Sequence, residues 1–243
     1  MENEKISILI PAFNEEENII VTLKETVNVL DNLKKDYEII IIDDGSVDNT
    51  YNKVKSNIEI FNDKVKICQY APNTGKGFAI KYGFSYVTGD YVLFLDADLD
   101  IHPSLVNNFL RLIKEHRADV VIGSKLNKDS VVHYPLTRRI LSVGYYILIK
   151  VLFNLPVKDT QTGLKLFNYS TLKKALSKVV VKKYAFDLEL LVILNKYKFK
   201  IVEAPIYLKP TRKFGRIGVR DIFNIFYDTM AIFYRLHIKK YYD

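Results

Sequence analysis

The segment Tyr91-Val92-Leu93-Phe94-Leu95-Asp96-Ala97-Asp98-Leu99-Asp100 decides how this chain folds. Five residues without a charge stop abruptly at three carboxylates spaced two apart. A short apolar run of this kind reads as a strand buried on both faces. Three similar runs precede it: Ile6–Ile10 stops at Pro11, Tyr37–Ile42 at Asp43-Asp44-Gly45-Ser46, and Val65–Tyr70 at Ala71-Pro72-Asn73. Helical patterns lie near 15–35, 48–60, 76–88 and 103–116. Strands alternating with helices predict βαβ units, hence an α/β fold with a mostly parallel sheet flanked by helices. Ligands of such sheets sit beyond the carboxyl ends of the strands. All four runs give way there to a polar or acidic segment, so that edge is the expected site.

A fifth strand is expected at Asp119–Ile122, after which the rhythm breaks. Thr137–Leu155 reads as an apolar helix entered through Arg138-Arg139, and Gly163–Phe167 as a strand. Helices follow near 170–178 and 186–197, with another strand candidate at Lys200–Glu203. Asp221–Lys240 spaces Ile222, Ile225, Phe226, Met230, Phe233 and Leu236 at a helical period. The expected organisation is one domain over 1–220 with a basic, amphipathic helical tail over 221–243.

The chain has 243 residues, enough for a substantial core. Its net charge of +8 is unevenly divided: residues 1–120 hold 13 Lys/Arg against 20 Asp/Glu, and residues 121–243 hold 23 against 8. Such asymmetry points to different partners for the two halves. The acidic half argues against a nucleic-acid wrapper, and the basic half shows no basic-aromatic nucleic-acid module, so no nucleic-acid partner is expected. Cys68 is the only cysteine, which excludes an intrachain disulfide and a cysteine zinc site. The N-terminus carries acids where a secretory signal needs cations. No charge-free stretch approaches the roughly 20 residues of a spanning helix, so nothing is expected to cross a bilayer, and the protein is expected to be soluble or to lie on a surface.

Carboxylates at i and i+2 on an extended segment share a side, so Asp96, Asp98 and Asp100 can converge on one hard cation. Oxygen-only ligands suit Mg²⁺ or Mn²⁺, which bridge phosphate oxygens. The alternative is a solvated acidic turn, but three unliganded acids at the end of a buried strand repel one another, which favours metal. Asp43 and Asp44 end a strand where a nucleobase or ribose can donate to them. Asn73–Gly77, with Gly75 and Lys76, supplies backbone and one cation before a helix, an expected anion site. Neither GxGxxG nor GxxxxGK[ST] occurs.

Pro11-Ala12-Phe13-Asn14-Glu15, Asp43-Asp44-Gly45-Ser46, Asn73–Gly77 and Asp96-Ala97-Asp98, in this order, resemble the motifs of family 2 glycosyltransferases with the GT-A nucleotide-diphospho-sugar transferase fold. The resemblance implies that Pro11 to Glu15, Asp43, Asp44, Gly75, Lys76 and Ala97 hold the donor nucleotide, while Asp96 and Asp98 bind a divalent metal on its diphosphate. Asp159–Phe167 and Tyr184–Leu191 are similar to the branch of this family that moves glucose or mannose onto dolichyl phosphate. That branch implies UDP-glucose, or GDP-mannose as the alternative, a polyprenyl phosphate acceptor, inversion at the sugar carbon and a membrane surface. The phosphate clamp is expected from Lys125, Arg138, Arg139, Ser142, Arg212, Lys213 and Arg216.

The chain departs from the branch at three places. Lys125 stands where Arg is usual, which keeps the charge and loses the bidentate fork. Asp100 stands where mannosyl relatives carry Gln. Arg212–Gly218 lacks the usual Ser-Lys, so Arg216 or Arg220 is left to supply that charge. Asp187 falls where relatives with hydroxyl acceptors keep a base, and here it is expected to orient sugar or acceptor. Relatives that transfer to a saccharide hydroxyl, or that bind donor without turning it over, are the alternatives.

Overall fold

The computed structural model of the chain describes residues 4–61, 63–133, 136–209 and 219–243, and of 136–141 and 219–222 the backbone alone. The five expected N-terminal strands are β1 (Ile6–Ala12), β2 (Tyr37–Asp44), β3 (Val65–Tyr70), β4 (Tyr91–Phe94) and β5 (Val120–Ser124). They alternate with α1 (Ile19–Asn32), α2 (Thr50–Asn57), α3 (Lys76–Phe84) and α4 (Val106–Glu115). Strand periodicity sends successive side chains to opposite faces. Ile39 and Ile41 of β2 enter one core with Ile6, Ile8 and Ile10, while Ile40 and Ile42 enter the other with Leu9. The central strands are therefore apolar on both sides, as the sequence pattern requires.

The second half adds α5 (Leu136–Phe153), β7 (Lys165–Asn168), α6 (Tyr169–Leu176), α7 (Phe186–Lys196), β8 (Ile201–Pro205) and α8 (Val219–His237). The main sheet runs β3-β2-β1-β4-β7-β5-β8. Only β7 is antiparallel, inserted between β4 and β5. Its register pairs Phe94 with Lys165. Two residues further along antiparallel neighbours, Asp96 therefore meets Gly163. The short strands β6 (Val131–Val132) and β9 (Tyr207–Leu208) form a separate parallel pair.

The segment expected as a tail is joined to the body. Ile232 and Tyr242 are fully buried in the same core as Phe94 and Phe186. Phe233 of α8 packs its ring on Phe153 of α5, 6.3 Å between centroids. Both helices keep an outward apolar face: Val143, Ile147 and Val151 on α5, and Phe223, Phe226, Tyr227 and Tyr234 on α8. Among the described residues no helix is long and apolar enough to cross a membrane.

Candidate active site

The turns after β1 and β2 are laced together. The Asn14 N–H donates to Ser46 Oγ at 2.9 Å, the Val47 N–H to Asn14 Oδ1 at 2.9 Å, and the Glu15 N–H to Thr50 Oγ1 at 2.8 Å. Pro11 and Ala12 close β1 immediately before this lacing, and Phe13 is exposed at its rim. Asp43 and Asp44 are buried. Asp43 accepts from the Ser46 N–H and, at 2.7 Å, from the Gln69 side chain.

Asp44 is occupied by the next loop. Its carboxylate accepts from the Thr74 N–H at 2.7 Å, the Gly75 N–H at 2.9 Å and Asn73 Nδ2 at 2.9 Å. Gly75 sits at φ +106°, a conformation L residues rarely adopt, and a Cβ there would lie 2.7 Å from the Lys182 carbonyl. That carbonyl in turn accepts from the Gly77 and Phe78 N–H groups at 2.8 and 3.2 Å. The backbone anion cradle expected at Asn73–Gly77 is thus filled from within the chain. What this loop offers a ligand is the Lys76 ammonium.

Lys76 Nζ lies 2.7 Å from Asp96 Oδ1 and 3.7 Å from Asp187 Oδ2. Lys165, wholly buried, reaches Asp187 Oδ1 at 2.7 Å and also donates to the Thr162 carbonyl. Burial opposes charge on Lys76, but the Asp187 and Asp96 carboxylates outweigh it and raise its pKa. Burial likewise opposes ionisation of Asp187, and the two ammonium groups overcome it, holding the carboxyl below the usual range. For Lys165 burial prevails and its pKa falls. The result is an alternating chain, Asp96–Lys76–Asp187–Lys165, with Asp96 at its open end.

Asp96 is seated against Gly163. A Cβ on Gly163 would stand 1.7 Å from Asp96 Oδ2 and 2.2 Å from its Cγ. The backbone turns at Ala97 and Asp98, and Leu99 sits at φ +59°. Asp98 accepts from the Asp100 N–H at 3.1 Å. The extended geometry that was to aim three carboxylates at one point is therefore lost, and the described residues hold no group of three acidic, His or Cys side chains placed to share a metal. Burial and then the neighbouring Asp96 and Asp100 push the Asp98 carboxyl up to about 7. A cation placed between Asp96 and Asp98 relieves that repulsion, so the charge pattern fits a divalent ion held by two carboxylates and completed by ligand oxygens.

Lys125 is neutralised by Asp159, 2.8 Å away, which also accepts from the Lys125 N–H and Thr162 Oγ1. This pair lines a pocket with Ser142, Tyr145, Tyr146 and Gln161. The buried Tyr145 hydroxyl stands beside Thr229 and Gln161 in the wall of this pocket. Arg138 and Arg139 lie on α5, their side chains outside the described residues, as are Arg212, Lys213 and Arg216 altogether. The neighbouring backbone is described: β6 and β9 run side by side, and the Lys209 N–H donates to the Asp100 carbonyl at 3.0 Å. Asp159, Gly163 and Lys165 lie in the segment Asp159–Phe167 that carries the resemblance, which gives none of them an individual role, and Tyr145 enters only through the structure. A lysine inside an otherwise apolar strand pattern is the local signal for Lys165.

The sequence matches the glycosyl transferase family 2 model over residues 7–176. It is 33% identical over 246 residues to a dolichyl-phosphate beta-glucosyltransferase of Trichomonas vaginalis, covering 96% of this chain and 75% of that protein. A dolichyl-phosphate beta-glucosyltransferase of Dictyostelium discoideum is 32% identical over 220 residues, covering 85% and 67%. Among solved structures, mannosyl-3-phosphoglycerate synthase of Rubrobacter xylanophilus superposes with a TM-score of 0.73 at 17% identity, covering 98% of this chain and 75% of that one. Glucosyl-3-phosphoglycerate synthase of Mycobacterium tuberculosis, in complex with Mn²⁺ and UDP-glucose, gives 0.68 at 18% identity, covering 95% and 78%. The sheet is that of the GT-A fold, and the family match together with these relatives makes the chain a glycosyltransferase. The chain belongs to glycosyl transferase family 2.

Proposed function

We propose that the protein transfers glucose from UDP-glucose to a dolichyl or other polyprenyl phosphate with inversion, at a membrane surface. The observation that carries this reading is the state of Asp187. Resemblance puts it where relatives with hydroxyl acceptors keep a base, yet both of its oxygens face ammonium groups, which hold its carboxyl below the usual range. A carboxylate held this way is a poor proton acceptor. A phosphate monoester, with its second pKa near ~6, arrives already ionised and demands none. Resemblance to dolichyl-phosphate glucosyltransferases favours the same acceptor and glucose as the sugar.

In this reading Asp96 and Asp98 would hold Mg²⁺ or Mn²⁺. Bound there, such an ion would supply charge stabilisation for a departing nucleoside diphosphate. Lys76 adds a second cation at the same place, aimed by Asp187. Pro11 to Glu15, Asp43 and Ala97 surround the nucleotide, and Asp44 shapes the loop that presents Lys76. Acceptor phosphate approaches over Ser142 and the Lys125–Asp159 pair, with Arg138, Arg139, Arg212, Lys213 and Arg216 as the proposed clamp. Asp96→Asn combined with Asp98→Asn is expected to abolish transfer while leaving the melting temperature within a few degrees. Persistent turnover in that variant would overturn the assignment.

The outward faces of α5 and α8 are the membrane contact in this reading. Apolar side chains flanked by cations lie in the headgroup plane without spanning it. Phe226→Asp with Tyr227→Asp should release the protein from anionic vesicles in a flotation assay and leave UDP-glucose binding unchanged. Undiminished flotation of that variant would remove α8 from the contact.

A further inference from the structure

Glu189 lies two residues beyond Asp187 on α7, is fully buried, and has no part in the chemistry above. One carboxylate oxygen accepts from the Val180 and Val181 N–H groups at 2.8 and 2.6 Å. The other accepts from Arg235 Nε at 3.1 Å and from the Tyr242 hydroxyl. Arg235 Nε also lies 2.9 Å from that hydroxyl, and Tyr242 is fully buried. The end of the chain is thus pinned to α7, and through Glu189 to the strap of residues 179–183.

That strap is what closes the donor loop. Its Lys182 carbonyl accepts from Gly77 and Phe78 at the start of α3, and its Val179 carbonyl accepts from Lys81 Nζ at 2.8 Å. The contact has no slack: a Cβ on Gly77 would stand 2.6 Å from the Phe186 ring and 2.7 Å from the Val181 carbonyl. A displacement of the strap therefore passes directly to the first turn of α3, where Lys76 begins its reach to Asp96.

We propose that Glu189 is a positioning residue for the donor site, anchored by Arg235 and Tyr242, so that the C-terminal segment forms part of the donor-binding machinery. This rests on the reading of Lys76 and Asp96 as donor-site groups. The test is Tyr242→Phe, which removes one hydroxyl from the protein. Loss of one hydrogen bond should raise the KM for UDP-glucose about threefold to tenfold. Amide exchange at Gly77 and Phe78 should accelerate by a similar factor, with the KM for lipid phosphate unchanged. Ile113→Val, a comparable loss in the core on the other face of the sheet, should alter neither readout. Glu189→Gln should behave as Tyr242→Phe does; if it fails to fold, Tyr242→Phe alone decides. Wild-type exchange at Gly77 and Phe78 in Tyr242→Phe overturns the proposal, and so does faster exchange with an unchanged donor KM. If the wild-type protein turns over no nucleotide sugar, the reading of the donor site fails instead, and the exchange data still test whether the anchor holds α3.

Discussion

Replacing Gly163 by alanine is expected to cut kcat by about 100-fold or more, the scale of a misplaced catalytic group. The added methyl would occupy the space of the Asp96 carboxylate, 1.7 Å from Oδ2. Neither backbone can yield cheaply. Gly163 enters β7, which is paired on both sides, and Asp96 follows β4 within the same sheet. The carboxylate must swing out, which breaks its 2.7 Å contact with Lys76 and spoils its approach to a metal. Overpacking of this kind costs about 1–3 kcal/mol, so the variant should fold. A steady-state assay with saturating donor, beside a thermal melt, checks this. Activity within about threefold of wild type, well under the cost of misplacing such a group, would show that the seat of Asp96 against Gly163 is not needed.

The second large effect falls on stability. Asp187→Leu removes the ion-pair partner of Lys165, a lysine with no exposure to water. Breaking a buried pair from one side costs about 3–5 kcal/mol, because the other charge stays buried without its counter-ion. For a chain of this length each kcal/mol lowers the melting temperature by about 2–4 °C. Lys165→Met in the same chain removes the stranded charge, and the double variant should regain most of the stability. Turnover should not return with it, since Lys76 has lost its second anchor. Recovery of both would reduce Asp187 to a structural role; recovery of neither would mean that the cost lies in packing rather than charge.

Much of the site could be read from local pattern. The four N-terminal strands announced themselves as apolar runs stopped by polar turns, and β3 falls at the expected Val65–Tyr70. Asp96 and Lys76, 20 residues apart, were both singled out, yet nothing local placed them 2.7 Å from each other. The insertion of β7 was illegible for a physical reason: a four-residue antiparallel strand has the same apolar pattern as a parallel one. Its place between β4 and β5 is set by the chain returning from α5. Gly163 and Lys165 acquire their roles only through that register. The spacing of Asp96, Asp98 and Asp100 misled in the opposite way, because alternation along a strand assumes an extended backbone and Leu99 turns it. Asp44 shows a further limit. A carboxylate at a strand end has the same sequence signature whether it meets a ligand or, as here, the next loop.

The most direct test of the proposed chemistry is transfer of labelled glucose from UDP-glucose to dolichyl phosphate in detergent with Mn²⁺ or Mg²⁺. The label should pass into the organic phase as a product released by mild acid, and the pair Asp96→Asn with Asp98→Asn should give none. Label recovered only in a water-soluble saccharide, or transfer that survives the double substitution, would contradict the account.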